Sequence, residues 1–276
     1  MIRWATAAAT LVLASFGTLA GAEQTRTYVV GVVPQFDVRT IHANWRPLLN
    51  YLERETGERF ELRGSTSIPA FELEFSEGSF DFAYMNPYHL IKANEAAGYL
   101  PLVRDHGRRL HGVLVVRKDS GIGSPAQLAG KTIAFPAPNA LGASLQMRQE
   151  LHDDFAIDFT PSYVKTHDSV YLNVLLGEVA AGGGVQGTLD QQTPSIRDAL
   201  TVIHRTHEVA PHPLCALPDV PQSVRDKVTA AMIRLGETEQ GRALLAGIPI
   251  RQVGEASLDD YLPLKALKLD RYFVDH

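Results

Sequence analysis

The side chains in this 276-residue sequence that could do chemistry fall in four places, and their spacings point to different chemistries. His204-Arg205-Thr206-His207-Glu208, followed by His212, has the histidine density of a transition-metal site. Its His-x-x-His spacing is not the zincin spacing, and no glutamate stands between the two histidines to act as general base. His167-Asp168-Ser169 sets an imidazole near a hydroxyl, the raw material of a base and its nucleophile. The two lie two positions apart at a helix start, the chain has no Gly-x-Ser-x-Gly elbow, and Cys215 lacks the setting of a thiol protease. Catalysis is therefore not expected, no cofactor is assigned, and metal binding through His204, His207 and His212 stands as a lesser alternative. The remaining places favour binding. The run Phe135-Pro136-Ala137-Pro138-Asn139-Ala140-Leu141-Gly142-Ala143-Ser144 opens a helix directly after a strand. An anion there would meet free backbone N–H groups and the positive end of the helix dipole, with Asn139 and Ser144 as polar side chains. Tyr84 and Asn86 end another strand, where open α/β sheets bind ligands, and Tyr88 and His89 begin the helix that follows.

These residues need elements to position them, and the pattern supplies an α/β alternation. Tyr28 to Val33 is a short apolar run suited to a buried strand. Trp45, Leu48, Leu49 and Leu52 then fall on one helical face, and Gly57 stops that helix. Phe60–Leu62 and Phe80–Tyr84 read as strands, with helices at Ser67–Phe75 and His89–Ala97 and a strand at Val113–Arg117. The alternation calls for parallel strands with helical crossovers. Near residue 112 it restarts: strands at Thr132–Phe135, Phe159–Val164 and Leu200–His204, helices at Asn139–His152 and Asp168–Gly177, and a glycine-rich strand or loop at Ala180–Val185. Asn139 is the expected cap of its helix. Leu214–Leu217 returns as an apolar run before two helices, Gln222–Leu235 and Thr238–Leu245, and a mixed-charge tail. Two such units imply two lobes with a cleft between them. The chain would cross between them near Leu110–Leu114 and Ile203–Val209.

Residues 1–22 read as a cleaved signal peptide: Arg3 gives a positive start, an apolar run reaches Leu19, and Ala20-Gly21-Ala22 offers small residues to the peptidase. Such a leader implies export to the periplasm and no stable membrane insertion afterwards. Its removal takes Arg3 and no acid, so the net charge goes from −5 to −6, which gives no support for nucleic acid as a partner. Cys215 is the only cysteine, so no internal disulfide can form, and apolar burial must supply the stability.

Several of these segments, in this order, resemble the phosphate/phosphite/phosphonate solute-binding family. The first strand followed by Trp45-Arg46-Pro47-Leu48-Leu49-Asn50-Tyr51-Leu52 is similar to the family's opening. So are Gly78-Ser79-Phe80-Asp81-Phe82-Ala83-Tyr84, the stretch from Ser124-Pro125-Ala126-Gln127-Leu128 to Phe135, and His167-Asp168-Ser169-Val170-Tyr171 with Gly177-Glu178-Val179. The resemblance implies a two-lobed periplasmic-binding-protein fold of type II, each lobe a mostly parallel sheet flanked by helices. Lobe 1 would hold residues 23–112 and 205–276, and lobe 2 residues 113–204. It also implies a small anionic ligand caught by hinge closure and handed to an ABC permease, or sensed by a membrane kinase or cyclase. Tyr84 and His212 would face the ligand from one lobe, and Asn139, Ser144 and His167 from the other. Asp168 and Ser169 would be further contacts or helix caps. Where the family's phosphonate binders carry Ser-Thr-Ser, this chain has Ala140-Leu141-Gly142. Ser67 and Leu110 fall near family tyrosines, Gly187 near a glutamate and His212 near an aspartate. These exchanges argue against an aminoalkylphosphonate as the ligand.

Overall fold

A computed structural model describes residues 26–248 and 250–275, together with Met1; the expected leader at 1–22 lies outside the described residues apart from Met1. Strand β1 (Thr27–Val32) carries the first apolar run. Asp37 caps α1 (Val38–Thr56) by accepting from the amides of Arg39 and Thr40, and Gly57 ends it at φ 76°. The buried face of α1 is the one its periodicity marks, including Trp45, Leu48, Leu49 and Leu52. Next come β2 (Arg59–Gly64), α2 (Ile68–Ser76), β3 (Phe82–Tyr84), α3 (Pro87–Ala97) and β4 (Leu100–Asp105). The second unit runs β5 (Gly112–Arg117), β6 (Thr132–Phe135), a single π-helical turn at Leu141–Leu145, α4 (Gln146–Asp153), β7 (Thr160–Tyr163) and α5 (His167–Leu176). It continues through β8 (Ala181–Val185), α6 (Gln186–Asp190), α7 (Pro194–Arg197) and β9 (Leu200–Arg205). The chain then returns as β10 (Leu214–Ala216), α8 (Gln222–Glu237), α9 (Glu239–Ala246) and β11 (Val253–Glu255).

Two sheets result, ordered β11-β4-β10-β3-β1-β2 and β7-β6-β8-β5-β9. Strands β1, β2 and β3 are parallel, as are β6, β7 and β8. Each sheet is mostly parallel, as expected, with β10 antiparallel to β3 and β4, β11 antiparallel to β4, and β5 antiparallel to β8 and β9. Two of the reversed strands, β5 and β10, directly follow the two passages between sheets. Strands β4 and β11 are not foreseen by the sequence pattern. In β4 the inward positions are Pro101, Val103 and Asp105, so alternation of side chains exists without alternation of hydrophobicity.

The passages themselves, 106–111 and 206–213, are tied by an antiparallel bridge between Leu110 and Val209, whose amides bond each other's carbonyls at 3.0 and 2.8 Å. In the second lobe β8 is buried along its whole length and contains three glycines. A Cβ on Gly182 would sit 2.5 Å from Val170 Cγ1, and one on Gly183 2.0 Å from the Ala143 carbonyl oxygen. Glycine is the only residue that lets α5 and the π turn come this close. After β11 the tail winds through 3-10 turns against α3 and then reaches the second lobe. There the Tyr272 carbonyl accepts from Arg148 and the Val274 backbone pairs with Asn139. Among the described residues no helix is long and apolar enough to cross a membrane.

Candidate functional site

Elements from both lobes converge where the passages begin. The end of β3 brings Tyr84, the loop after β1 brings Gln35, and the first passage brings Arg108 and His111. The second passage brings His212, and the step from β8 into α6 brings Val185, Gln186 and Thr188. They enclose a cavity of about 190 Å³. A second space of about 10 Å³ shares Gln35, Val185 and His212 with it and extends inward to His167 and Ala140–Ala143.

Four of the sequence-selected residues, Tyr84, Asn86, His167 and His212, meet at these spaces. Tyr84 packs its ring 5.0 Å from Trp45 and stacks on His212 at 5.5 Å and 25°. Burial raises its phenol pKa, so the group stays neutral. His212 is 7% exposed. Burial, with smaller electrostatic contributions from His89, His167 and Arg108, brings its pKa down to about 3. His167 is 1% exposed, with Nδ1 3.1 Å from Thr188 Oγ1, and burial alone brings it down to about 3. Both imidazoles are neutral at pH 7, so they offer hydrogen bonds and no charge.

The other candidates have different employment. Asn139 does not cap its helix: Ala140 holds the cap position, without a side-chain bond. Instead Asn139 is fully buried, donating to Glu72 Oε2 at 2.9 Å and to the Val274 carbonyl, and accepting from the Val274 amide. Glu72 Oε1 in turn meets His89 Nε2 at 2.8 Å. Ser144 is buried and accepts from Arg148 Nε at 3.2 Å. Asp168 accepts from Gln192 at 2.7 Å. The cap of α5 is Thr166, which bonds the Ser169 amide and hydroxyl, so neither Asp168 nor Ser169 caps it. The histidine trio does not converge. His204 and His207 both meet the buried Glu150 carboxylate, at 2.8 and 3.0 Å, while His212 lies in the cleft. Burial would raise the Glu150 pKa, but bonds from His204 and His207 outweigh it and hold the group below its usual range.

Sequence reasoning passed over Gln35, Arg108 and His111. Arg108 reaches across the cleft: both terminal nitrogens lie 3.6 Å from where a side chain on Gly187 would begin, and Nε is 3.2 Å from Asp105. Asp105 is fixed by the amides of Gly107, Arg251 and Gln252, so it anchors the guanidinium. The signal that could have found these residues is topological, since passages between lobes border the cleft whatever their hydrophobic pattern. Around the cavity several buried polar atoms have no hydrogen-bond partner: both ring nitrogens of His111, Nε2 of His212 and Oε1 of Gln186. Such atoms cost about 1–3 kcal/mol each unless something polar meets them. The arrangement can hold a solute with polar groups.

A family model described as ABC transporter, phosphonate, periplasmic substrate-binding protein matches residues 30–261. The fold is similar to that of the binding-protein component of an ABC phosphonate transporter from Pseudomonas aeruginosa, with TM-score 0.80 and 16% identity over 90% of this chain and 88% of that one. It is similar as well to PhnD1 from Prochlorococcus marinus in complex with methylphosphonate, with TM-score 0.81 and 13% identity over 89% of this chain and 98% of that one. The tetrathionate sensor histidine kinase TtrS of Salmonella typhimurium is 25% identical over 165 residues, which is 54% of this chain; the chain spans 28% of the kinase. The type II two-lobed fold and a family match over most of the sequence agree, and the chain belongs to the phosphonate periplasmic substrate-binding protein family of ABC transporters.

Proposed function

We propose that this protein captures a small oxyanion-bearing solute between its lobes in the periplasm and delivers it to an ABC importer. The observation that supports this most directly is the set of buried polar atoms around the interlobe cavity that no protein group satisfies. A solute there touches Tyr84, Arg108 and His212 from one side and Val185, Gln186 and Thr188 from the other. Only the closed arrangement makes both sets of contacts, so binding shifts the population toward closure. His167 and the first-turn amides of Leu141, Gly142 and Ala143 add donors at the inner end. The test is a thermal-shift screen against phosphate, phosphite, methylphosphonate, sulfate and small organic acids. A native-state ligand at 100 times its Kd raises stability by about 2.7 kcal/mol and lifts the melting temperature. A screen in which no anion does so contradicts the reading. The likeness to TtrS favours one second reading, presentation of the bound solute to a membrane sensor. Permease and ATPase genes beside this one would favour uptake, and a sensor gene alone would favour signalling.

A further inference from the structure

The two spaces of the cleft differ in what they admit. At about 10 Å³ the inner end, by His167 and the π turn, has room for one water-sized group. The open volume of about 190 Å³ lies outward, by the passages. Its lining mixes apolar residues, Tyr84, Leu110, Val185 and Pro211, with polar ones, among them Arg108, His111 and Gln186. Three guanidinium groups, Arg108, Arg109 and Arg251, line the space with two carboxylates, Asp105 and Asp190, and the Glu208 carboxylate stands 3.9 Å from His111 Nδ1. The absence of a side chain at Gly187 leaves the Arg108 guanidinium room to cross the cleft. Gln186 Nε2 is committed to Asp190 at 2.7 Å. We infer that this outer end takes a small organic monoanion, its acid head at Arg108 and His111 and its apolar body against Tyr84, Leu110 and Val185. A bare phosphate leaves the apolar residues uncovered, and an amine placed at the same end meets the Arg108 guanidinium unfavourably.

The inference rests on the solute-capture reading, and the experiment separates the two. Titration calorimetry compares benzoate, hexanoate and benzenesulfonate with phosphate, methylphosphonate and hexylamine. It uses the wild-type protein and two variants, Arg108→Gln and Gly187→Glu, each first shown by its unliganded melting curve to be folded. Gly187→Glu sets a carboxylate against the guanidinium and leaves Arg108 itself in place, so it remains informative if Arg108→Gln loses its hold on Asp105. The expected result is that at least one organic monoanion binds more tightly than methylphosphonate, and weakens by about tenfold or more in each folded variant. Tighter binding of methylphosphonate or phosphate than of every organic acid overturns the inference and leaves solute capture standing. So does organic-acid binding that both variants leave within about twofold. No binding of any anion overturns both.

Discussion

At the scale of single residues, the two cleft histidines are titratable groups kept neutral by their surroundings, and this has a pH consequence. Their ordinary pKa is 6.5, and burial brings each down to about 3 in the folded protein. Between those values the unfolded chain takes up protons that the folded chain refuses. Stability is therefore full above pH 6.5 and is lost as the pH falls toward 3, by roughly 2 kcal/mol per histidine at pH 5. Melting temperatures of wild type and His212→Asn between pH 7 and 5 check this: the variant is expected to fall less steeply. Parallel curves would mean that His212 carries its proton in the fold. The same residues show how much of the site was legible beforehand. Strand ends and a strand-to-helix junction marked Tyr84 and His167, and the family resemblance marked His212; all three stand at the cleft. Asn139 was read by its capping preference, yet Glu72, a residue of another lobe, claims its amide. Arg108 and His111 carried no periodic signal because they sit in a passage that has none.

At the scale of elements, β8 shows why a glycine run that could be either strand or loop is a strand. Its neighbours on both faces approach the backbone so closely that any Cβ is expelled, and the Ala143 carbonyl oxygen would stand 2.0 Å from one on Gly183. Gly183→Ala is therefore expected to cost about 3 kcal/mol or more, since either β8 or the π turn must move. Urea denaturation measures it, and a loss below about 1 kcal/mol would show that the π turn yields easily. Most elements were legible because each carries its own punctuation. Ser67 and Asn86 cap α2 and α3, and Gly57 and Gly177 stop α1 and α5 in the left-handed conformation. The exceptions have their information elsewhere in the chain. Strand β11 exists through its pairing with β4, a partner about 150 residues earlier in sequence, and β4 in turn faces inward with Pro101 and Asp105. The π turn has no sequence mark at all; it follows from the closeness of Gly112 and Gly183 to its carbonyls.

For the whole molecule, capture by closure, as proposed, requires opening as well, and the C-terminal tail opposes opening. The tail is rooted in the first lobe, where Tyr88 donates to Asp270 at 2.8 Å and Lys92 pairs with it at 2.7 Å. Beyond that root it holds the second lobe by three hydrogen bonds: Arg148 to the Tyr272 carbonyl, Asn139 to the Val274 carbonyl, and the Val274 amide back to Asn139, all between 2.8 and 2.9 Å. Arg271 adds an exposed pair with Asp153. At about 1 kcal/mol net for each of the three bonds, the tail favours closure by roughly 3 kcal/mol, about a hundredfold in population. Opening on the passages, where the Leu110–Val209 bridge is the narrowest link, has to overcome that bias before a solute can enter. Ending the chain after Asp270 keeps the root and removes the latch. The shortened protein is expected to show a larger radius of gyration by small-angle scattering without ligand, and to contract when a solute that stabilises the wild type is added. Its solute affinity should fall, because binding then has to supply the closure that the tail now provides. Superimposable scattering curves from the two chains would instead place the closing force in the lobe faces themselves.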